Sequence, residues 1–152
     1  MSDKIYIFTD GSSRGNPGPG GYGVVMKFKD KIKELSQGFT HTTNNRMELL
    51  ALIVALEAIK TTKYPIEVYS DSKYVIDSIT KGWVFNWENK SNFGGKKNSD
   101  LWKRYLSIHD NFNITFNWVK GHNGHPENER CDYLATSAAL GKGLIKDELY
   151  KK

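Results

Sequence analysis

The sequence predicts an α/β domain: a five-stranded mixed sheet, three antiparallel strands followed by parallel ones, flanked by helices. Two observations predict it. The first three apolar runs are strand-like and joined by short, turn-rich connections, the pattern of an antiparallel meander. After them, helical and strand-like segments alternate, which favours parallel pairing.

The opening run, Lys4-Ile5-Tyr6-Ile7-Phe8-Thr9-Asp10, is rich in β-branched and aromatic residues and stops at glycines and prolines. It reads as a buried strand, with Asp10 where that strand leaves the core. Residues 22–28 and 31–39, split by Lys29-Asp30, are the next two strands. Thr42-Thr43-Asn44-Asn45 offers several N-caps for a helix over residues 46–59, which would carry Glu48 in its first turn. That helix has no Gly or Pro and is apolar nearly all round, so it should be the buried one. Pro65 restarts an extended run through Asp71, and Ser72 can cap a helix to about Thr80. Ser99 can cap another to about His109, and Ile114, Phe116 and Trp118 alternate as a last strand. Residues 120–126 form a loop by composition, and residues 127–140 resume as helix. Beyond Gly141 the glycines and charges predict a weakly held tail over about 142–152.

The 152 residues fit one domain with a real core, and 38% hydrophobic with 26% charged residues is ordinary for a globular chain. The net charge of +5 favours a polyanionic partner over an acidic small molecule. Cys131 is the only cysteine, so no internal disulfide forms and a reducing, cytoplasmic location is expected. No signal-peptide pattern opens the chain and no apolar run approaches membrane-spanning length.

Asp10 and Asp71 each follow a strand that the pattern makes a parallel neighbour of the other, so both can emerge at one sheet edge, where sites form in open α/β sheets. Glu48 and Asp132 lie in helical segments beside apolar runs. Singly, each acid has a plain structural reading. Asp10 suits a turn before Gly11, Asp71 suits a helix start, Glu48 suits a positive helix end, and Asp132 can pair with Arg130. Gathered together they would repel a phosphate, so the cluster makes sense only with hard divalent cations. Mg²⁺ takes few carboxylates and keeps waters and phosphate oxygens. Two ions about 4 Å apart can hold an attacking water and a leaving oxygen in line.

His122, in the loop before Asp132, can carry protons as a neutral imidazole, or be a surface histidine. A zinc set of His122, His125 and Cys131 lacks a fourth ligand and the usual paired spacing. Residues 82–98 interleave Trp83, Phe85, Trp87 and Phe93 with Lys90, Lys96 and Lys97. Trp83 and Trp87, one helical turn apart, suit packing. The lysines have less structural excuse, and a basic protrusion of this kind suits a nucleic-acid backbone.

The arrangement resembles ribonuclease H of the small bacterial type. The matching motifs are Phe8-Thr9-Asp10-Gly11-Ser12, residues 15–23, Thr42-Thr43-Asn44-Asn45-Arg46-Met47-Glu48, Asp71-Ser72 with Tyr74-Val75, Trp118-Val119-Lys120-Gly121-His122 and residues 124–132. The resemblance covers nearly the whole chain in order and implies the ribonuclease H-like fold. It implies an endonuclease that cuts the RNA strand of an RNA–DNA hybrid to 3′-hydroxyl and 5′-phosphate ends, with Mg²⁺ as cofactor and Mn²⁺ as a substitute. By position, Asp10, Glu48, Asp71 and Asp132 match the family's metal-binding acids and His122 its mobile catalytic histidine. Asn16, Asn44 and Asn45 match hybrid contacts, and Thr43 part of a DNA-phosphate pocket. The Trp83–Lys97 region, including Lys90 and Lys96, resembles a basic protrusion, with Trp87 its substrate-facing aromatic. Lys73 departs from the family, which often has Gln there; an ammonium only donates, whereas an amide also accepts. Nothing in the pattern demands more than a monomer. A DNA-cutting resolvase-like enzyme and a non-catalytic hybrid-binding module are the rival readings, opposed respectively by the Asn44–Glu48 motif with the protrusion and by the presence of all four acids.

Overall fold

A computed structural model describes residues 3–120 and 125–147. Strand β1 (Ile5–Ser13) pairs antiparallel with β2 (Gly18–Phe28), and β2 pairs antiparallel with β3 (Lys31–Thr42). On its other side β1 runs parallel to β4 (Ile66–Ser70), and β4 parallel to β5 (Ile114–Trp118). The sheet order is therefore β3-β2-β1-β4-β5, with the opening strand at its centre. A hairpin suffices for the antiparallel pairs, whereas each parallel pair needs a crossover. Helix α1 (Asn44–Glu57) lies between β3 and β4. Helices α2 (Lys73–Thr80), α3 (Trp83–Glu88) and α4 (Ser99–His109), with a 3₁₀ turn (Ser91–Gly95), lie between β4 and β5. Helix α5 (Pro126–Leu140) follows β5.

The all-round apolar character of α1 has a direct cause. It packs on β1 and β2 and also against α4, so Leu49, Ala51, Leu52, Ile53, Ala55 and Leu56 are all buried. Trp102 and Tyr105 of α4 close that core, and the Trp102 indole N–H, which needs a partner once buried, donates to the Tyr74 hydroxyl at 2.9 Å. Side chains alternate across a strand, so the other sheet face is free for α5, which packs on β1, β2 and β3. The approach is close: a Cβ on Gly23 would lie 2.2 Å from the Cys131 carbonyl oxygen. Cys131 itself is buried, its thiol donates to the Phe8 carbonyl at 3.1 Å, and burial pushes that thiol well above its ordinary range.

Four local expectations are corrected. β1 does not stop at Asp10, because pairing with β2 carries it on to Ser13↔Gly20, whereas its pairing with β4 stops at Phe8↔Tyr69. Thr43 is the N-cap of α1, so the helix opens at Asn44 and Glu48 falls in the second turn. Asn98, in a left-handed conformation, precedes α4 in place of Ser99. The segment past Gly141, expected to be weakly held, is tied down as far as Asp147. Ile145 bridges to Gly38 and Thr40 along β3, and Asp147 reaches Arg46. The hydrogen bonds along β3 give that edge strand a partner it otherwise lacks.

Candidate active site

Sheet topology delivers Asp10 first. It stands just past the last β1–β4 pair, opposite Gly23 of β2, so its side chain leaves the sheet where no parallel neighbour covers it. Asp71 follows the last residue of β4, held by a local turn in which the Ser72 N–H donates to Ser70 Oγ and Ser72 caps α2. Two parallel strands ending together place both acids at one edge. Glu48 arrives from α1. The helix comes so near that a Cβ on Gly11 would lie 2.3 Å from the Glu48 nitrogen, so only glycine fits there. The Gly11 N–H donates both to Glu48 Oε1 and to Asp10 Oδ1, orienting the two carboxylates from one point.

One oxygen from each of Asp10, Glu48 and Asp71 lies within 4.8 Å of the others. The three line a cavity of about 410 Å³ together with Asp132, Gly11, Ser12, Asn44, Asn45, Ser72, Lys73 and Tyr74. Asp132, in α5, shares the cavity without joining the tight group of three. Burial raises the Asp10 carboxyl to about 7; its contact with Glu48 works against the rise, and the negative charges of Asp71 and Asp132 add to it. Burial likewise pushes Glu48 well above the carboxylate range, with Asp10, which can share its proton, adding to the push. Glu48 Oε2 is buried without a hydrogen-bond partner among the described residues. A buried polar oxygen without a partner is costly. Hard oxygen donors clustered at this spacing are the donor set that Mg²⁺ or a similar divalent ion takes.

Asn44 and Asn45 open α1 and face the cavity, and Asn16 Oδ1 accepts the Asn44 N–H at 3.1 Å. Thr43 spends its hydroxyl as helix cap, accepting the Arg46 N–H at 3.2 Å. Lys73 lines the cavity with its ammonium 4.8 Å from the centre of the Trp118 ring. Trp83, Trp87, Lys90, Lys96 and Lys97 do not line it. Trp83 and Trp87 belong to α3, and Lys90, Lys96 and Lys97 flank the 3₁₀ segment. Trp87 packs edge-on to Phe93 and Trp102, with the Lys96 ammonium 5.4 Å from its ring centre. His122 lies outside the described residues. Cys131, of the zinc alternative, is buried, while His125 is exposed.

Three contributors, Gly11, Tyr74 and Trp118, stand in the sequence as motif residues to which the sequence reading assigns no role at the site. Gly11 acts through space and hydrogen bonding rather than chemistry, and its signal was its place directly after the acid. Tyr74 follows Lys73 at the start of α2. The Trp118 indole donates to the Asp71 carbonyl at 3.0 Å, a role that its end position on an alternating strand did not disclose.

A family model described as RNase H matches residues 2–140. The chain belongs to the ribonuclease H family. Ribonuclease H of Desulforamulus reducens is 56% identical over 148 residues, covering 95% of this chain and 92% of that one. Ribonuclease H of Lachnoclostridium phytofermentans is 49% identical over 156 residues, covering 96% and 98%. Among solved structures, LC9-RNase H1, a type 1 RNase H with the type 2 active-site motif, superimposes with a TM-score of 0.81 at 30% identity, covering 93% of this chain and 74% of that chain. RNase H1 of Halobacterium salinarum gives 0.68 at 31% identity, covering 89% and 96%. The protein is thus an endoribonuclease, a hydrolase of the ribonuclease H family, and the mixed five-stranded sheet is that family's fold.

Proposed function

We propose that this ribonuclease H cuts the RNA strand of RNA–DNA hybrids internally, leaving 3′-hydroxyl and 5′-phosphate ends. The observation that carries the reading is the close group of Asp10, Glu48 and Asp71 beside the helix-borne Asn44 and Asn45. A relative of the same fold supports the substrate: LC11-RNase H1, solved in complex with RNA/DNA hybrid, superimposes with a TM-score of 0.68 at 28% identity, covering 90% of this chain and 96% of that one.

Asp10, Glu48, Asp71 and Asp132 would hold two divalent ions, Mg²⁺ with Mn²⁺ as a substitute; the orphaned Glu48 Oε2 is the feature of the site that fits them. When bound, such ions neutralise phosphate charge and lower the pKa of an attacking water. The remaining work falls to the chain. Gly11 fixes the directions of Asp10 and Glu48. Asn16, Asn44 and Asn45 supply amides suited to 2′-hydroxyls and base edges in a wide, shallow minor groove. Asn16 has already ordered the Asn44 backbone. Thr43 and the protrusion's Lys90, Lys96 and Lys97 bind backbone phosphates, giving affinity without sequence preference. Trp83 and Trp87 supply the protrusion's aromatic support, and Lys73 donates to the hybrid at the cavity wall. As water adds to phosphorus and the bond to O3′ breaks, His122 carries the proton that the leaving oxygen needs. The chain acts as a single-domain monomer, and its lone cysteine suits the reducing cytoplasm.

Labelled hybrid, duplex DNA and duplex RNA incubated with Mg²⁺, then with chelator, test the reading. Metal-dependent loss of the RNA strand of the hybrid alone is expected. Equal cutting of duplex DNA would favour the resolvase-like alternative. Binding without any cutting would leave a non-catalytic module.

A further inference from the structure

The Arg46 guanidinium is 2% exposed and uses all five of its N–H donors. Its Nε donates to Asp147 Oδ2 at 2.7 Å and its Nη2 to Asp147 Oδ1 at 2.9 Å. Nη1 and Nη2 donate to the two Asp100 oxygens at 2.9 and 2.7 Å, and Nη1 also reaches Asn98 Oδ1 at 3.3 Å. Three separate parts of the chain meet on one side chain: the start of α1, the start of α4, and the C-terminal strap. The strap is seated independently of Arg46. Thr42 Oγ1 donates to Asp147 Oδ2 at 2.7 Å, Gln37 Nε2 donates to the Gly143 carbonyl at 2.8 Å, and Ile145 pairs along β3.

Arg46 is the third residue of α1, directly after Asn44 and Asn45. A cation in the first turn opposes the helix dipole and, buried, needs paired carboxylates. Two meet it here. From the same clamp a second line runs to the cavity: Asn98 Nδ2 donates to the Tyr74 hydroxyl at 3.1 Å, and Tyr74 is a cavity wall. The body of α1 is held apart from this clamp, because Leu49, Leu52, Ile53 and Leu56 are locked into the core. Releasing Arg46 therefore loosens the first turn, with its two asparagines, before it loosens the helix.

We propose that the strap around Asp147 is a positioning element for substrate: Asp147 seats Arg46, and Arg46 sets the Asn44–Asn45 turn against the hybrid. Asp147 touches no substrate in this scheme. The inference rests on the hybrid-cleaving function proposed above.

The test is steady-state cleavage of labelled hybrid at saturating Mg²⁺, well below the melting temperature, with hybrid Kd measured in chelator alongside. Asp147→Asn is expected to raise KM and Kd by about tenfold while kcat stays within about twofold, the pattern of a displaced binding group. Asp147→Glu should recover most of the loss. Thr42→Val, which unseats Asp147 without touching Arg46, should shift KM in the same direction, less strongly, and combine non-additively with Asp147→Asn. Unchanged KM and Kd with a lowered melting temperature would overturn the proposal and leave the strap a stabilising brace. A fall in kcat alone would overturn it too. Wild-type protein that binds hybrid without cutting it would sink the proposed cleavage function, and the strap would then stand or fall on the Kd values. Wild-type protein that binds no hybrid overturns both.

Discussion

Asp10 carries two opposed duties: burial raises its carboxyl to about 7, well above the ordinary 3.8, yet a metal ligand must be ionised. Replacing it with asparagine removes the charge while keeping the shape. Asp10→Asn is expected to abolish cutting, retain hybrid binding, and stabilise the metal-free protein at pH 8 by about 1–3 kcal/mol in denaturant titration. Loss of binding and folding together would instead make Asp10 a structural residue. Lys73 poses a separate question. It lies over Trp118 at the cavity wall, so its charge faces the place where a phosphate would arrive. Lys73→Gln should preserve cleavage and reduce the slope of log affinity against log salt by about one. An unchanged slope would place Lys73 away from the substrate.

At the scale of elements, legibility in the sequence followed the kind of force at work. The meander, the buried α1 and the alternating β5 were readable because period and composition report burial directly. The caps at Ser72 and among residues 42–45 were readable because side-chain oxygens at helix starts have few other uses. What escaped depended on partners remote in sequence. Ser13 remains strand because Gly20 pairs with it. Asp147 looked like part of a loose, charged end because Arg46 lies 101 residues away. The convergence of Asp10 and Asp71 followed from parallel pairing, whereas the seating of Glu48 needed the α1–β1 contact that glycine at position 11 permits. In the 82–98 segment, Val84 and Phe93 are anchored in the core while Lys90, Lys96 and Lys97 remain exposed. Neutralising these three lysines to glutamine should lower the salt slope of hybrid binding by roughly 2–3 with little change in kcat. A slope that does not move would remove the protrusion from the interface.

For the molecule as a whole, the acid cluster couples folding to protons and metal. Asp10 is raised on folding, so the folded state binds more protons than the unfolded state between pH 3.8 and about 7. Stability from this group is therefore fully present below pH 3.8 and is lost as pH rises through about 7. Glu48, also raised, acts in the same direction. Metal binding to the ionised cluster reverses the trend, since a ligand that binds only the folded state stabilises it. Melting curves should show chelator lowering Tm at pH 8 and leaving it nearly unchanged at pH 4. Equal chelator effects at both pH values would detach the carboxylates from the metal.

Cys131 offers one practical consequence. Its thiol is sealed between α5 and the central strand and kept protonated, so alkylating reagents can reach it only after α5 lifts from the sheet. The chain thus carries a single natural reporter, and its labelling rate reads how often the domain comes apart, with no tag or engineered probe required.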